Sequence, residues 1–451
     1  MVKKIDFLVT ILVTAFVFYR IFSSEFFISP DSIRYVDSGL NLLYHNVYSY
    51  NTFKQHIPPP PSLGFGGFFT AVELAVASVV DQDTEMSLIC ISREGQALAH
   101  QNCDLNLLGL RALYSIELLL FLLMMRMITS KLFTSRSLVT IATLVPLMFN
   151  DIFNFASSIL TEPSYLCVVS ILLYSQIMAF KQPKTNFRWL LLGFALGVLC
   201  HIKPIWLLMI CFYSCMFGMA AFFKKSRSFL TTWLWFSIGM GFFILPMLMR
   251  NYVQLDVVAF SDRTYLIAAL SHRVGYNMMS YNEWLIGWVY FLPDFGDQLA
   301  NYYSNFNLNE KLAWGNGSFY QIGRDIIHTN VLNNVKEQYQ LNYLIQNHVL
   351  EDLKKHFATT LLLSWRGIFI SGSLSLLAIL LVPLFAKVVS KRELFETCKV
   401  AAPLLMIVFG NALISVSIDR YNIGLLVIYT IVLAVLLDKL ARKIASKLYY
   451  G

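Results

Sequence analysis

Two carboxylates lie where apolar runs of the sequence meet polar ones. Asp31 follows the first apolar run, in Pro30-Asp31-Ser32, and Glu162 opens a later run, in Thr161-Glu162-Pro163. A carboxylate at such a boundary can act as a general base that takes the proton of an attacking hydroxyl group. Both residues also fit a helix start, where an acidic side chain caps the first turn and interacts favourably with the helix dipole. The position of Asp31 favours the catalytic interpretation, and Glu162 is predicted to face it across a shared cavity.

Cationic side chains also occur at the ends of apolar runs, on the side that the charge pattern below marks as outer. They are His56, His201, Lys203, Arg250 and Arg420. Because Lys and Arg normally favour the inner side of a membrane, cations here indicate a fixed anion such as a phosphate. The alternatives are snorkelling to lipid head groups and, for Arg420, pairing with the adjacent Asp419. At least two of the five are predicted to bind substrate.

Four further polar residues belong to the same analysis. Tyr35 and Asp37 follow the first apolar run, and Asp37 is predicted to be structural or to contact an acceptor. Asp151 closes the third apolar run on the outer side and, like Tyr35, is predicted to bind substrate. Glu117 lies in the middle of a run, where a charge needs a partner or a proton. It is expected to bind a polar group of another helix or to be neutral.

The chain that carries these residues is strongly apolar. Of its 451 residues, 57% are hydrophobic and 14% are charged, and its mean hydropathy is +0.59. Soluble domains carry about 25% charged residues, so the bilayer is the natural solvent for this chain. Its net charge of +8 comes from loops between apolar runs, which predicts membrane topology and no nucleic-acid partner.

A helix needs about 20 apolar residues to cross a bilayer, and ten runs come close to this length. They are 6–27, 107–128, 138–155, 162–180, 189–207, 208–223, 229–249, 364–386, 399–416 and 421–438. If the N-terminus is inside, every Lys and Arg cluster of the loops falls inside as well. The clusters are Arg126, Lys131 and Arg136; Lys181, Lys184 and Arg188; Lys224, Lys225 and Arg227; Lys387, Lys391 and Arg392; and Lys439, Arg442, Lys443 and Lys447. A full crossing by the short run 64–80, which carries Glu73, would reverse this order, so that run is predicted to be re-entrant or to lie on the surface.

The predicted fold is therefore an all-α polytopic membrane protein with about ten transmembrane helices and cytoplasmic termini. Two long outer loops, 28–106 and about 250–360, are expected to carry short interfacial helices. The predicted modules are 1–250, a transmembrane catalytic part; 251–360, an outer loop or subdomain; and 361–451, the C-terminal helices. Cys90 and Cys103 share the first loop, and the sequence leaves open whether they form a disulfide.

The order of these motifs resembles the GT-C superfamily of membrane glycosyltransferases. The stretch from Pro30 to Ser49 is similar to the first outer loop of that family, and His56-Ile57-Pro58-Pro59 is similar to the His-x-Pro-Pro that follows. Leu160-Thr161-Glu162-Pro163 resembles the start of its fourth span, and Gly193 through Lys203-Pro204 resembles a Gly-x-x-x-Gly element that ends in Lys-Pro. The resemblance covers roughly residues 6–250, and the second half resembles the family in layout. Bacterial aminoarabinose and mannose transferases and serotype-converting glucosyl transferases have this layout.

The resemblance implies transfer of a hexose or pentose from a polyprenyl-phosphate donor to a lipid or glycan acceptor, with inversion, on the outer face of a bacterial inner membrane. Asp31 would be the base and Glu162 the second acid, while Lys203, Arg250 and Arg420 would hold the lipid phosphate. No cofactor is expected. An acidic trio on the outer face could hold a divalent cation, but cations that bind phosphate make a metal redundant.

Two other functions remain open. A transporter or flippase for lipid-linked sugars would also carry outer cations and carboxylates near the membrane, although the sequence shows no inverted repeat. A polymerase or ligase of surface polysaccharide would use a similar donor but depend on Arg residues of one large outer loop. The chain has no Walker or Rossmann motif, which argues against an ATP-driven pump.

Overall fold

The apolar runs fold into helices throughout the computed structural model. It describes residues 2–63, 67–183, 185–224, 227–303 and 308–450. Over these residues, the β-structure is limited to an isolated bridge between Phe27 and Ser158. The all-α fold class predicted from the sequence is confirmed. Residues 64–66 of the predicted re-entrant run, and Lys184 and Lys225 of the predicted inner loops, lie outside the described residues.

The chain divides into two compact units. Unit 1 comprises Met1–Ser261, Leu384–Val400 and Thr430–Gly451, and unit 2 comprises Asp262–Pro383 and Ala401–Tyr429. The prediction of three consecutive modules stays a prediction.

The α-helices of the first 261 residues are α1 Val2–Ser23, α2 Pro30–His45, α3 Phe68–Val80, α4 Gln82–Asn102, α5 Leu108–Leu132, α6 Arg136–Leu144, α7 Asn150–Ala156, α8 Glu162–Lys181, α9 Asn186–Ile202, α10 Leu207–Lys224 and α11 Arg227–Leu255. Those that follow are α12 Arg263–Gly275, α13 Tyr281–Tyr290, α14 Gly296–Tyr303, α15 Leu308–Leu312, α16 Phe319–Gln321, α17 Thr329–Asn334, α18 Gln340–Leu344, α19 Leu353–Gly367, α20 Gly372–Leu380, α21 Val382–Val388, α22 Lys391–Ile414 and α23 Leu426–Tyr450. Both α22 and α23 are divided between the units.

All ten runs predicted as spans coincide with apolar helices, but fewer are long enough to span. Among the described residues, five apolar helices have the length and composition to cross a membrane: α5, α8, most of α11, α22, and α23 with the turn before it. Two bent pairs, Arg136–Met148 with α7 and α19 with α20, raise the number to seven. The remaining predicted spans are shorter apolar helices, and so is α3. With 13 residues, α3 is about 20 Å long, too short to cross a hydrocarbon core of about 30 Å.

Small residues bring α9 and α11 into backbone contact within unit 1. A Cβ atom built on Gly193 would lie 2.1 Å from the carbonyl oxygen of Phe236, and one on Gly239 would lie 2.2 Å from that of Leu190. Membrane helices use small residues for such close approach, since the bilayer provides no hydrophobic driving force between helices. This packing fixes α9, whose C-terminal end carries His201 and Lys203.

Helices α11 and α8 differ in how much of their apolar surface is exposed. On α11, Phe242, Leu245 and Met249 are between 57% and 66% exposed, and their spacing places them on one helix face. A large exposed apolar stripe of this kind is typical of a lipid-facing surface. In contrast, 78% of the apolar window of α8 is buried, so α8, which begins at Glu162, lies inside the bundle.

Helices α2 and α4 are held together outside the candidate spans. Asp37 on α2 accepts hydrogen bonds from the backbone N–H of Phe53 and from the hydroxyl of Ser92 on α4. Burial raises the pKa of Asp37.

A disulfide joins Cys90 to Cys103, with Cα atoms 5.8 Å apart, so the pairing that the sequence left open is formed in the structure.

Unit 2 has its own core and two unusual helical segments. Tyr276, Leu362, Leu363 and Ala412 belong to one buried apolar cluster. The segments Ile322–His328 and Ile345–Leu350 are π-helices, a form that is rare and occurs frequently at functional sites.

Candidate active site

The start of α2 is bonded to the segment that precedes α8 in unit 1. Ser29 caps α2 in a capping box with Ser32, and the Ser32 hydroxyl also donates to the carbonyl of Ile159, 2.9 Å away. The backbone N–H of Phe27 donates to the carbonyl of Ser157. These bonds place the half-buried Asp31, in the first turn of α2, beside the segment that leads into α8 and Glu162. Helix N-termini carry partial positive charge, so this junction favours anions.

Glu162 forms a buried ion pair with Lys203. The distance between Lys203 Nζ and Glu162 Oε1 is 3.1 Å, and the two side chains are 12% and 3% exposed. The Lys203 ammonium also lies 4.4 Å from the centre of the Tyr165 ring. The C-terminal end of α9 is thereby tied to the first turn of α8. Lys203 is fixed in place before any ligand binds, because a carboxylate and an aromatic face both hold it.

Gly67 connects α2 to the end of α9. Its backbone N–H donates to the carbonyl of His201, 3.1 Å away. It lies directly against the ring of Tyr35, since a Cβ atom there would be 2.3 Å from Tyr35 Cε1, and its φ is +83°. Only glycine adopts this conformation without strain. Tyr35 of α2 and His201 of α9 are therefore placed on two sides of the N-cap of α3.

His201 is packed in an aromatic cage. Its ring lies 5.3 Å from that of Phe68 and 5.0 Å from that of Phe260, centre to centre. Its Nε2 lies 3.0 Å from the carbonyl oxygen of Phe243, and its buried Nδ1 has no hydrogen-bond partner within the described residues. These contacts indicate a packing role that supports the neighbouring Lys203.

Arg250 clamps the loop that follows α2. Its guanidinium donates to the carbonyls of Tyr48 and Ser62, at 2.7 and 2.6 Å, and to Oδ1 of Asn251. The Tyr48 ring in turn packs edge-on against Phe68, 5.0 Å away. The clamp and the aromatic cage thus share Phe68, and both position the N-terminal end of α3.

A second pair of carboxyl groups lies in the interior, where α3, α5 and α8 meet. Glu73 and Glu117 are 5% and 8% exposed. The Ser164 hydroxyl lies 2.6 Å from Glu73 Oε1 and 3.3 Å from Glu117 Oε2. Two buried carboxylates this close would repel each other, which favours a proton on one of the two groups. Glu117 therefore has the polar partner on another helix that its position in the sequence requires.

The remaining predicted residues are placed differently. His56 is exposed, in a turn closed by a bond from the N–H of Ile57 to the carbonyl of Lys54. Asp151 is half-buried in the first turn of α7. Arg420 belongs to unit 2, where its guanidinium lies over the ring of Tyr421. The substrate-binding roles assigned to the predicted residues stay predictions.

Within the part of the chain that the structure describes, no three His, Cys, Asp or Glu side chains converge as ligands for a metal ion. The expectation of a reaction without a cofactor stays a prediction.

No family model matches the sequence, and no curated protein is detectably similar to it. Among solved structures, the chain is similar to the crystal structure of ArnT from Cupriavidus metallidurans bound to undecaprenyl phosphate, with a TM-score of 0.46 and 12% sequence identity. The alignment covers 96% of this chain and 60% of that one, so the chain spans about three fifths of the length of that ArnT.

Proposed function

We propose that this protein is a membrane glycosyltransferase that takes a sugar from a polyprenyl-phosphate donor and passes it to a lipid or glycan acceptor. The observation that carries the proposal is the buried Glu162–Lys203 ion pair at the start of α8, which follows the segment that Ser32, the neighbour of Asp31 on α2, bonds at Ile159. A carboxylate and an oriented ammonium group at one junction are the two groups that such a transfer requires.

Asp31 has the role of general base. It lies in the first turn of α2, and the capping box of Ser29 and Ser32 fixes the backbone of that turn. The acceptor hydroxyl gives its proton to the Asp31 carboxylate as its oxygen attacks the anomeric carbon of the sugar. Attack from the face opposite the leaving phosphate inverts the configuration at that carbon.

Lys203 has the role of electrostatic stabiliser of the leaving group. As the bond from the anomeric carbon to the phosphate oxygen breaks, the electron pair stays on that oxygen and its negative charge grows. An ammonium that is already oriented by Glu162 and Tyr165 stabilises this charge without having to reorganise. Glu162 therefore acts as a positioning residue for Lys203.

The burial of Lys203 supports the roles proposed for Asp31 and Lys203. Charges act more strongly on each other where water is excluded, and Lys203 is only 12% exposed. The aromatic cage of His201 and the Arg250 clamp hold α9 and the loop after α2 in place around the junction. The proposal places the reaction on the outer face of a bacterial inner membrane, with both termini in the cytoplasm.

The test is consumption of polyprenyl-phosphate sugars by the purified protein. We expect the wild type to transfer or hydrolyse at least one hexose- or pentose-linked donor. Lys203→Met is expected to lose about 100-fold or more in kcat/KM, because one preorganised charge has been removed. Lys131→Met, the same substitution at an exposed lysine of α5, is the control and should retain full activity.

Lys203→Arg separates charge from structure, because it keeps the cation. It should recover part of the activity that Lys203→Met loses. A wild-type protein that consumes no lipid-linked donor, or a Lys203→Met variant with wild-type kinetics, would contradict the proposal.

A further inference from the structure

Unit 2 contains a cavity of about 850 Å³ that the proposed reaction leaves unassigned. Both π-helices line it: Ile322 and Ile326 come from the first, and Asn347 and His348 from the second. A π-helix is a rare and less favourable backbone form, and its occurrence is concentrated at functional sites. Two such segments around one cavity are therefore a signal that is independent of the shape of the cavity. The volume is also in the range of small-molecule sites.

The lining of the cavity combines amide, carboxylate and aromatic groups with aliphatic ones. Asn330 on α17 and Asn347 contribute amides, Tyr343 on α18 contributes a phenol ring, and Ile322 and Ile326 contribute apolar surface. Asn330, Tyr343 and Asn347 are exposed. Planar amides and carboxylates can bond two neighbouring hydroxyl groups at once, and an aromatic ring can pack against the C–H face of a sugar ring.

The charges of the lining disfavour an anionic ligand. Glu351 and Asp352 contribute two carboxylates, and Lys355 contributes one ammonium. Burial lowers the pKa of His348, so its imidazole is neutral at pH 7. The sum is one net negative charge, which repels a lipid phosphate and accepts a neutral or amino sugar.

One wall of the cavity is rigid before any ligand binds. The Asn277 amide donates to the carbonyl of His348, 2.9 Å away, and its oxygen accepts from Arg273 and Thr359. Arg273 is fully buried and also donates to the carbonyls of Ala412 and His356. Preorganisation of this kind lowers the entropy cost of binding.

We propose that this cavity binds a saccharide chain. The binding site consists of residues of unit 2 alone, and it is additional to the proposed transfer reaction. Asn330, Asn347 and Glu351 bond the sugar hydroxyls, while Tyr343 and the isoleucines of the first π-helix contact the apolar faces of the sugar rings.

The first test is binding of the purified, fluorescently labelled protein to a printed array of di- to hexasaccharides built from hexoses, deoxyhexoses, N-acetylhexosamines and uronic acids. We expect the wild type to bind a subset of them in the absence of any donor. Asn330→Ala and Tyr343→Ala should weaken that binding by about fivefold to tenfold each, which corresponds to one lost hydrogen bond or ring contact.

Matched controls exist in the same unit. Asn333 lies on the same short helix as Asn330 and is exposed, and Tyr302 is 83% exposed. Neither residue lines the cavity. Asn333→Ala and Tyr302→Ala should therefore bind the array as the wild type does.

The second readout separates the cavity from the reaction. Hydrolysis of the lipid-linked donor without an acceptor reports on Asp31 and Lys203, and it is measured independently of saccharide binding. A wild type that consumes donor but binds no saccharide, or cavity variants that bind as the wild type does, would overturn the proposed saccharide site and leave the transferase standing. Saccharide binding without any donor consumption would overturn the transferase and leave the binding site standing.

Discussion

Removing one partner of the Glu162–Lys203 pair is expected to be far more costly than removing both. At 3.1 Å, the Coulomb attraction is about 5 kcal/mol at an effective dielectric constant of about 20, and several kcal/mol of lost hydration of each ion oppose it. The intact pair is therefore close to neutral for stability. A single replacement such as Lys203→Met leaves a buried, unpaired carboxylate, which costs about 3–5 kcal/mol.

The assay is a double-mutant cycle of unfolding free energies in detergent micelles, with the wild type, Lys203→Met, Glu162→Gln and the double variant. The double variant should be destabilised less than either single variant, so that its loss falls short of the sum of the single losses by at least about 3 kcal/mol. The partly exposed pair Lys399–Glu396, at 2.8 Å and with side chains 35% and 20% exposed, provides the control cycle, and its coupling should stay below about 1 kcal/mol. Additivity within about 0.5 kcal/mol at Glu162 and Lys203 would refute the buried ion pair.

Three further substitutions test the packing around the junction. Asp37→Asn keeps an acceptor for the backbone N–H of Phe53. It removes a carboxyl group whose pKa is raised by burial. The wild-type carboxyl stabilises the fold fully below about pH 4, and this contribution is lost as the pH rises through the raised pKa. The unfolding free energy of the variant should therefore fall less over that window. Gly67→Ala should destabilise the protein by about 1–3 kcal/mol, because its Cβ would meet the Tyr35 ring at 2.3 Å with φ at +83°, and it should lower donor turnover. Glu117→Gln keeps a polar group beside Ser164 and Glu73 and should be tolerated, whereas Glu117→Leu removes it and should cost about 1–3 kcal/mol in detergent unfolding.

Each of these expectations has a contrary result. An Asp37→Asn variant whose unfolding free energy follows that of the wild type at every pH would show that the buried carboxyl has an ordinary pKa. Wild-type stability in Gly67→Ala would show that the Tyr35 ring does not lie against this position. Equal stability of Glu117→Gln and Glu117→Leu would show that a polar group at position 117 contributes nothing to stability.

Hydropathy and loop charge predicted most of the helical framework. Each run marked as a span is largely helical, because a long apolar run can satisfy its backbone in a membrane only by forming helices, but the runs 138–155 and 364–386 are each divided among shorter helices. The lengths of the helices were predicted less well. The run 189–207 contains the helix α9, which has 17 residues and ends before Pro204. Proline has no backbone N–H and cannot donate the next helical hydrogen bond. The bend of 63° between Arg136–Met148 and α7 follows a 3₁₀ turn that begins at Val145-Pro146, and the apolar pattern alone does not show it.

The sequence predicted individual residues of the candidate site but not the pairs that they form. Asp31 and Glu162 stand out in the sequence as carboxylates at the ends of apolar runs, and the structure bonds the start of α2 to the segment that precedes α8. The ion pair of Glu162 with Lys203 joins residues 41 positions apart, and a periodic pattern carries no information on such contacts. The pairing of Glu73 with Glu117 had a signal that was not used: two carboxyl groups in apolar runs each need a partner, and each is the natural partner of the other.

The π-helices had no recognisable signal. Glycines and prolines usually mark an irregular helix. The segments Ile322–His328 and Ile345–Leu350 contain no proline and a single glycine, Gly323. Gly323 lies where a Cβ atom would be 2.5 Å from the carbonyl of Ser271, so tertiary packing against α12 places the first π-helix. Sequence periodicity could therefore predict short helices in the stretch 250–360 but not the cavity between them.

The most direct measurement is transfer of radiolabelled sugar from polyprenyl-phosphate donors by the purified wild type and by Asp31→Asn. Asparagine keeps the size of the side chain and its ability to stand at a helix start, so the fold should be unchanged. Asp83→Asn, at an exposed aspartate in the first turn of α4, is the matched control. If Asp31 is the base, Asp31→Asn loses about 10²–10⁴-fold of the transfer rate, while Asp83→Asn and the thermal unfolding of both variants match the wild type. Transfer at the wild-type rate by a folded Asp31→Asn variant would contradict the assignment of Asp31 as the catalytic base.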